Sequence, residues 1–274
     1  MNLPKEDMIR VSKYGGGLAM RKELLFAFTA FFFLSLTAIT GAYAVEKDTN
    51  VEKVIFNEET DITNDTKEEK IYLKGETTEN TENNHFYREL VIEVIHNNSE
   101  KASLSVEGGY SPKLHLIDIN DDGKKELFLT ILGNERGTQK NFYFIQFQNN
   151  KLVELSKPEL NSIESQFRDG YKAQLTIEES KTYIFDLYDR KEHYEELGLY
   201  HKGRLNEPTE LIVGPYTELK VSRHENKTAI KGRQPISGIA SVDTIGYLET
   251  MWTWKNSEWG LERVKVKEIS HRGN

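Results

Sequence analysis

Residues 114–132 read LHLIDINDDGKKELFLTIL, an acidic loop held between two short apolar runs. Both runs are rich in leucine and isoleucine and stop at polar turn residues, which is typical of β-strands. Many other short segments rich in Ile, Val, Thr and Tyr follow the same pattern along the chain. We therefore predict a mainly β fold of antiparallel hairpins, with one short helix at Asp189–Gly198.

The acidic loop has the spacing of a cation site. Oxygen-bearing side chains recur at alternate positions, and Gly123 permits the turn that would bring the Lys124 carbonyl into the shell. The predicted metal ligands are Asp118, Asn120, Asp122, Lys124 and Glu126. An all-oxygen set favours calcium, and we predict one Ca²⁺ site; the alternative is a solvated acidic turn without a metal. An EF-hand is excluded, because its twelfth position is Leu129, inside an apolar strand.

Composition excludes several classes of function. The chain has 274 residues, no cysteine and a net charge of −8, so disulfides, thiolate metal sites and a cysteine nucleophile are ruled out. The acidic balance argues against a nucleic-acid partner. No hydrolase, zinc-protease, P-loop or dinucleotide motif is present, so we predict no catalytic residues and no enzymatic activity.

The amino-terminal part predicts export. Residues 24–44 carry no charge, follow Arg21-Lys22 and end in Ala42-Tyr43-Ala44, so residues 20–44 are typical of a secretory signal peptide. The alternative is an uncleaved membrane anchor, and membrane association is expected only through 24–44. Residues 1–19 are polar, and we interpret Met20 as the natural initiator. The rest is expected to be secreted or associated with the cell envelope.

The remaining chain divides into two predicted parts. Residues 45–84 are polar and acidic with few apolar positions, which predicts a flexible spacer. Residues 85–274 contain the strand and turn signals and form the predicted β-rich domain. Its last hairpin contains or adjoins three tryptophans, Trp252, Trp254 and Trp259. We expect them to pack in the core or on a sheet face, and the alternative is a platform for stacking sugars.

The loop also carries a resemblance. Residues 117–127, IDINDDGKKEL, resemble the FG-GAP/VCBS-type repeat, whose signature is D-x-[DN]-x-D-G-x-x-[DE]-[LIV]. The resemblance implies that calcium stiffens a loop between two strands of a blade of β-propeller type. Since the ordered part is short for a closed ring, we expect two or three blade-like sheets packed together.

A second, weaker resemblance covers the later part of the chain. Stretches at 169–172, 198–200, 232–238 and 243–250 look like exported VCBS-repeat proteins of spore-forming Gram-positive bacteria. Those proteins often have another acidic loop before the Gly-x-Gln stretch. Here the corresponding residues 221–230 keep only Glu225, so this segment would be a repeat that has lost its ion.

These observations predict an exported, non-catalytic calcium-binding β-module at the cell envelope, cell wall or spore surface. Its partner would be an unidentified protein or a cell-wall polymer. One alternative is a carbohydrate- or wall-binding protein, possibly hydrolytic, that uses the carboxy-terminal tryptophans. Another is an envelope-anchored sensor or assembly subunit, which requires that residues 24–44 stay uncleaved.

Overall fold

The computed structural model describes residues 50–78, 86–96 and 100–269. The predicted start extension and the signal peptide or anchor lie outside these residues. The described chain is mainly β, with antiparallel sheets and one short α-helix, which confirms the predicted fold class. None of the helices in this part is long and apolar enough to span a membrane.

The first half of the described chain is one seven-stranded antiparallel meander, curled like half a barrel. Its strands pair in sequence order, each with its neighbour along the chain. They are β1 (Asn50–Thr60), β2 (Glu69–Thr78), β3 (Phe86–His96), β4 (Glu100–Ile117), β5 (Glu126–Leu132), β6 (Lys140–Gln148) and β7 (Lys151–Leu155).

The prediction of a flexible spacer at 45–84 is wrong for residues 50–78, which form β1 and β2. In β2, Ile71 and Leu73 are fully buried, whereas the residues that alternate with them, Lys70, Tyr72 and Lys74, are exposed or partly exposed. Alternating side chains of a strand point to opposite faces, so half of the positions suffice to build a buried face. The low apolar content of the segment therefore reflects strands with one wet face.

Strand β4 belongs to two structural units. Its first part, up to Tyr110, pairs with β3, and its last part, from Lys113, pairs with β5. The register shifts between those two residues, where Ser111 has a φ of 46°. Strand β4 therefore closes a unit of β1 to β4 and opens a second unit of β4 to β7.

The second half of the chain builds smaller sheets. A three-stranded sheet consists of β8 (Ile163–Arg168), β9 (Lys172–Ile177) and β10 (Lys181–Asp186). A short pair, β11 (Tyr200–His201) and β12 (Arg204–Leu205), follows the helix. The last sheet contains β13 (Ile212–Val213), β14 (Glu218–His224), β15 (Lys227–Ser237), β16 (Thr244–Lys255) and β17 (Glu258–Glu268).

The predicted helix is shorter than expected. A 3₁₀ turn at Tyr188–Arg190 leads into α1 (Lys191–Glu196). Asp189 lies inside the 3₁₀ turn and does not cap the helix, because neither helix has a side-chain cap hydrogen bond. Gly198, with a φ of 76°, donates its N–H to the Glu195 carbonyl and ends the helix as predicted.

The seven-stranded sheet is buried on both faces where it meets the last sheet. On one face of β5, Leu127, Leu129 and Ile131 belong to the core of the curled sheet. On the other face, Phe128 packs with Phe142, Phe144, Leu219 and Ile230 of β6, β14 and β15. This double burial explains why β5 is apolar at nearly every position, whereas a strand with one wet face alternates.

Candidate functional site

The 118–126 loop connects β4 to β5 and is held by its own aspartates. Asp118 accepts the backbone N–H groups of Asp122 at 3.1 Å and Gly123 at 2.8 Å. Asp122 in turn accepts the N–H of Lys124 at 2.8 Å. Gly123 has a φ of 89°, which side-chain-bearing residues rarely adopt. The loop is therefore wound around the side chains that the sequence predicts as ligands.

Glu126, the last predicted ligand, is only 1% exposed. Its carboxylate accepts the Ile119 N–H at 3.1 Å and the Gln146 side-chain amide at 3.3 Å, and both donors are neutral. Burial raises the pKa of Glu126 to about 7, and the carboxylates of Asp122 and Asp118 add to the rise. The site therefore holds a buried acid next to two further acids, without a nearby positive charge in its hydrogen-bond shell.

The residues that could hold a cation form a mixed set of oxygen donors. Across the described chain, no three His, Cys, Asp or Glu side chains converge closely enough to hold a metal ion. A cation in the loop would therefore need the amide oxygen of Asn120 and the carbonyl of Lys124 beside the carboxylates. Carboxylate oxygens that already accept one N–H keep a second lone pair for a metal.

The structure reveals a second copy of this loop, which the sequence analysis missed. Residues 61–69 read DITNDTKEE and connect β1 to β2, as residues 118–126, DINDDGKKE, connect β4 to β5. The two share Asp, Ile, Asp, Lys and Glu at the first, second, fifth, seventh and ninth positions. These identical residues at matching positions were the sequence signal that could have revealed the second copy.

Four hydrogen bonds of the two loops are equivalent. Asp61 accepts the N–H groups of Asp65 at 3.3 Å and Thr66 at 2.8 Å, as Asp118 does from its fourth and fifth neighbours. Asp65 accepts the Lys67 N–H at 2.9 Å, and Glu69 accepts the Ile62 N–H at 2.9 Å. Both loops also have positive φ at their fourth and sixth positions. The two units of the curled sheet are thus built on the same strand-loop-strand plan.

The copies differ in what faces the buried glutamate. Glu69, fully buried, lies 2.7 Å from the Nδ1 atom of the His96 imidazole. The equivalent Glu126 meets the neutral amide of Gln146 instead. An imidazole is a base that can take up a proton, whereas the side-chain amide of Gln146 cannot. The 118–126 loop is therefore the copy that has no basic side chain hydrogen-bonded to its buried acid.

The two loops touch each other. Lys125 donates its N–H to the Ile62 carbonyl at 3.0 Å, and its ammonium group donates to the Thr60 hydroxyl at 3.1 Å. A Cβ atom added to Gly123 would lie 2.7 Å from the side-chain nitrogen of Asn64. The duplicated loops therefore form one continuous surface at one end of the curled sheet.

The sixth loop position offers a paired test. Thr66 has a φ of 70°, where the other loop has glycine. The left-handed conformation costs a side-chain-bearing residue about 1–2 kcal/mol. A glycine avoids this cost, but part of the benefit is lost because glycine also makes the unfolded chain more flexible. Thr66→Gly should therefore raise the free energy of unfolding by about 0.5 kcal/mol in urea denaturation. Gly123→Ala should lower it by about 1–2 kcal/mol, and equal effects of both changes would contradict the strain argument.

The segment at 221–230, interpreted above as a repeat that lost its ion, is a tight hairpin. Strand β14 runs to His224, β15 begins at Lys227, and Glu225 and Asn226 form the turn with φ of 48° and 64°. A two-residue turn with positive φ values leaves no room for a ligand loop. The true second copy lies at 61–69.

This hairpin nevertheless contacts the 118–126 loop. Asp121 accepts the Thr228 backbone N–H at 3.0 Å and the Thr228 hydroxyl at 2.8 Å. The fourth residue of the 118–126 loop is thus anchored to β15 of the last sheet. The loop is therefore bonded to the last sheet as well as to the strands that it connects.

The three tryptophans occupy different environments. Trp252 is 2% exposed and donates its indole N–H to the Thr250 hydroxyl, so its ring offers no face to a sugar. Trp259 donates its indole N–H to the Ser156 carbonyl at 2.7 Å and packs against Phe144. Trp254 is partly exposed and lines two clefts that adjoin the 118–126 loop. Of the three, Trp254 is the one that lines these two clefts.

Comparison with protein families gives a match to the later part of the chain. Residues 161–267, which span β8 to β17, match the family model of the YybI C-terminal domain. The match leaves the curled sheet and both acidic loops uncovered. No curated protein matches the chain, and no solved structure matches it.

Proposed function

We propose that this protein is an exported, non-catalytic β-module of the cell envelope or surface, and that calcium stiffens its 118–126 loop. The observation that carries the proposal is the buried, uncompensated carboxyl of Glu126 beside Asp118 and Asp122. An ionised carboxylate in such a place is costly unless a positive charge accompanies it. A divalent cation would supply that charge.

The proposed ligands are side-chain oxygens of Asp118, Asn120, Asp122 and Glu126, with the carbonyl of Lys124. Since no three carboxylates of the described residues converge on one point, binding would have to draw the loop together around the ion. Calcium suits this set because it accepts six to eight oxygen ligands in a flexible geometry. The loop ties β4 to β5, and Asp121 ties the loop to Thr228. Bound calcium would therefore act as a structural link between the two main sheets.

A non-catalytic role is proposed because the loop carboxylates hold backbone N–H groups in place. The carboxylates of Asp118, Asp122 and Glu126 each accept at least one such bond. The 61–69 loop uses the same bonds, with His96 beside its buried acid. We therefore assign the calcium to the 118–126 loop, where no imidazole shares the charge.

Calcium should raise the melting temperature of the purified protein. A ligand at about 100 times its dissociation constant stabilises by about 2.7 kcal/mol, which corresponds to a rise of roughly 5–10 °C for a chain of this size. Asp118→Asn with Asp122→Asn should abolish the rise, since these changes remove the charge and keep one acceptor oxygen in each side chain. The measurement is differential scanning calorimetry in calcium and in chelator.

The matched control is Asp61→Asn with Asp65→Asn in the other loop. This variant should keep the calcium-dependent rise and a stoichiometry of one calcium per chain. An unchanged melting temperature of the natural protein in calcium would contradict the proposal. If the control variant loses the calcium-dependent rise in melting temperature and the 118/122 variant keeps it, the calcium site would instead be the 61–69 loop.

Export is proposed from the composition of residues 20–44. The mature amino terminus is expected near Val45, and mass spectrometry of the protein recovered from cells would locate it. A chain that retains residues 24–44 and sediments with membranes would favour the anchored sensor or assembly subunit instead.

A further inference from the structure

A polar cleft lies beside the 118–126 loop. It has a volume of about 490 Å³ and is bounded by the loop, by β6 and β7, and by the β16–β17 hairpin. A second cleft of about 360 Å³ is also lined by Trp254, together with residues of the 118–126 loop and of the β14–β15 hairpin. Asn120 and Trp254 line both clefts and therefore stand on the boundary between them.

The first cleft combines uncharged hydrogen-bonding groups with one aromatic wall. Its amides come from three separate parts of the chain. The Asn120 amide already bonds to Asp122 and the Gln146 amide to Glu126, but a side-chain amide has two donor hydrogens and two acceptor lone pairs, so each keeps capacity for a ligand. The amides are those of Asn120, Gln146, Gln148 and Asn256. Trp254 supplies the aromatic wall, and Val153 adds apolar surface that is 44% exposed.

We propose that this cleft binds a neutral oligosaccharide. A sugar ring presents an apolar C–H face, which suits an indole, and a rim of hydroxyls, which suits amide donors and acceptors. Glu154 is the one charged residue that lines the cleft, and the acidic loop adjoins it. This arrangement disfavours an anionic ligand.

The cleft is coupled to the cation loop through two residues. Asn120 belongs to the loop, and Gln146 donates its side-chain amide to the buried Glu126. A stiffened loop would hold both amides in place and reduce the ordering cost of binding. The inference thus extends the proposed function, since calcium at the loop would strengthen sugar binding without being required for it.

Trp254 is well supported as the stacking residue. Its ring lies 5.0 Å from that of Trp259 at an interplanar angle of 68°. Trp259 is fixed by its hydrogen bond to Ser156 and by its contact with Phe144, 5.0 Å away. The ring of Trp254 is therefore held against a rigid neighbour, which reduces the entropy lost when a ligand stacks on it.

The test is isothermal titration calorimetry of the whole protein with chitohexaose and cellohexaose, in calcium and in chelator. We expect at least one of these neutral probes to bind. Trp254→Ala should weaken that binding about tenfold or more, and Gln148→Ala, at an exposed strand end, should weaken it severalfold without disturbing the fold. An exposed aromatic that lines neither cleft gives the matched control: Tyr188→Ala should leave binding unchanged.

Several outcomes would overturn the proposal. They are the absence of binding by both neutral probes, unchanged affinity in both cleft variants, and preferential binding of oligogalacturonate, an anionic probe. The calcium-dependent melting temperature is measured on the same samples. A calcium-dependent rise in melting temperature without sugar binding would refute the sugar site and leave the calcium proposal standing. Sugar binding without that rise would refute the calcium proposal and leave the sugar site standing.

Discussion

In calcium-free buffer, the free energy of unfolding should fall by about 2–3 kcal/mol as the pH rises from about 4.5 to about 8, through the ionisation of Glu126. Burial raises the folded pKa of this carboxyl to about 7, with Asp122 and Asp118 adding to the rise. In the unfolded chain it titrates near 4.3. Below that value the group is neutral in both states, and its contribution to stability is complete. As the pH passes the folded pKa, that contribution is lost.

Glu126→Gln should remove most of this pH dependence. The glutamine keeps the shape of the side chain and an oxygen that can accept the Ile119 N–H. Calcium should have a similar effect in the natural protein, because a bound cation favours the ionised carboxylate and lowers its pKa. The measurement is urea denaturation at a series of pH values, in chelator and in calcium.

The matched control is Glu93, an acid of the same sheet whose pKa is shifted the other way. Burial opposes its ionisation, but the ammonium groups of Lys101 and Lys74 outweigh this and hold the pKa of Glu93 below its usual range. Its contribution to stability is present at neutral pH and is lost as the pH falls. Glu93→Gln should therefore change the acidic part of the curve of unfolding free energy against pH. A natural protein with flat stability from pH 4.5 to 8 in chelator would contradict the assignment of Glu126.

The sequence was sufficient to predict the fold class and the local form of the 118–126 loop. Both depend on short-range signals, namely strand runs bounded by turn residues and oxygen side chains at alternate positions. The 118–126 loop lies where the sequence placed it, between two strands. The positive φ of Gly123 and Gly198 follows from the same local chemistry.

Other features could not be read from local pattern. The 61–69 loop was hidden because its flanking strands have one wet face, and average composition over 45–84 does not resolve a period of two. The different environments of Trp252 and Trp254 are set by packing around the last sheet, which buries the first ring and leaves the second at a cleft. The local sequence around Asp121 and around Thr228 does not indicate that these two residues form a hydrogen bond with each other.

Arg190→Met should lower the free energy of unfolding by about 3–5 kcal/mol, with a fall in melting temperature on the order of 10 °C. The Arg190 guanidinium pairs with the Asp243 carboxylate, and the two side chains are 8% and 9% exposed. Arg190 also donates to the Thr244 carbonyl at 3.1 Å. Methionine preserves much of the apolar stem and removes the charge, so Asp243 would remain buried without its cation.

The same carboxylate also holds the helix. Tyr194 of α1 donates its hydroxyl to Asp243 at 2.6 Å. Burial and this hydrogen bond keep the pKa of Tyr194 well above its ordinary value, so the hydroxyl stays a donor. Loss of Arg190 should therefore loosen α1 from the loop before β16. Near-ultraviolet circular dichroism would detect the changed tyrosine environment in the folded state.

A double variant separates the cost of an unpaired charge from the cost of lost packing. If the buried charge dominates, Asp243→Asn added to Arg190→Met should recover part of the lost stability, because the asparagine can still accept the Tyr194 hydroxyl. Lys70→Met breaks an exposed pair with Glu59, whose side chains are 52% and 54% exposed, and should cost less than about 1 kcal/mol. An equally small loss of unfolding free energy for Arg190→Met would contradict the importance of the Arg190–Asp243 pair. Since Arg190 and Asp243 both lie within residues 161–267, their pairing is a structural requirement that other chains matching this family model can be tested for.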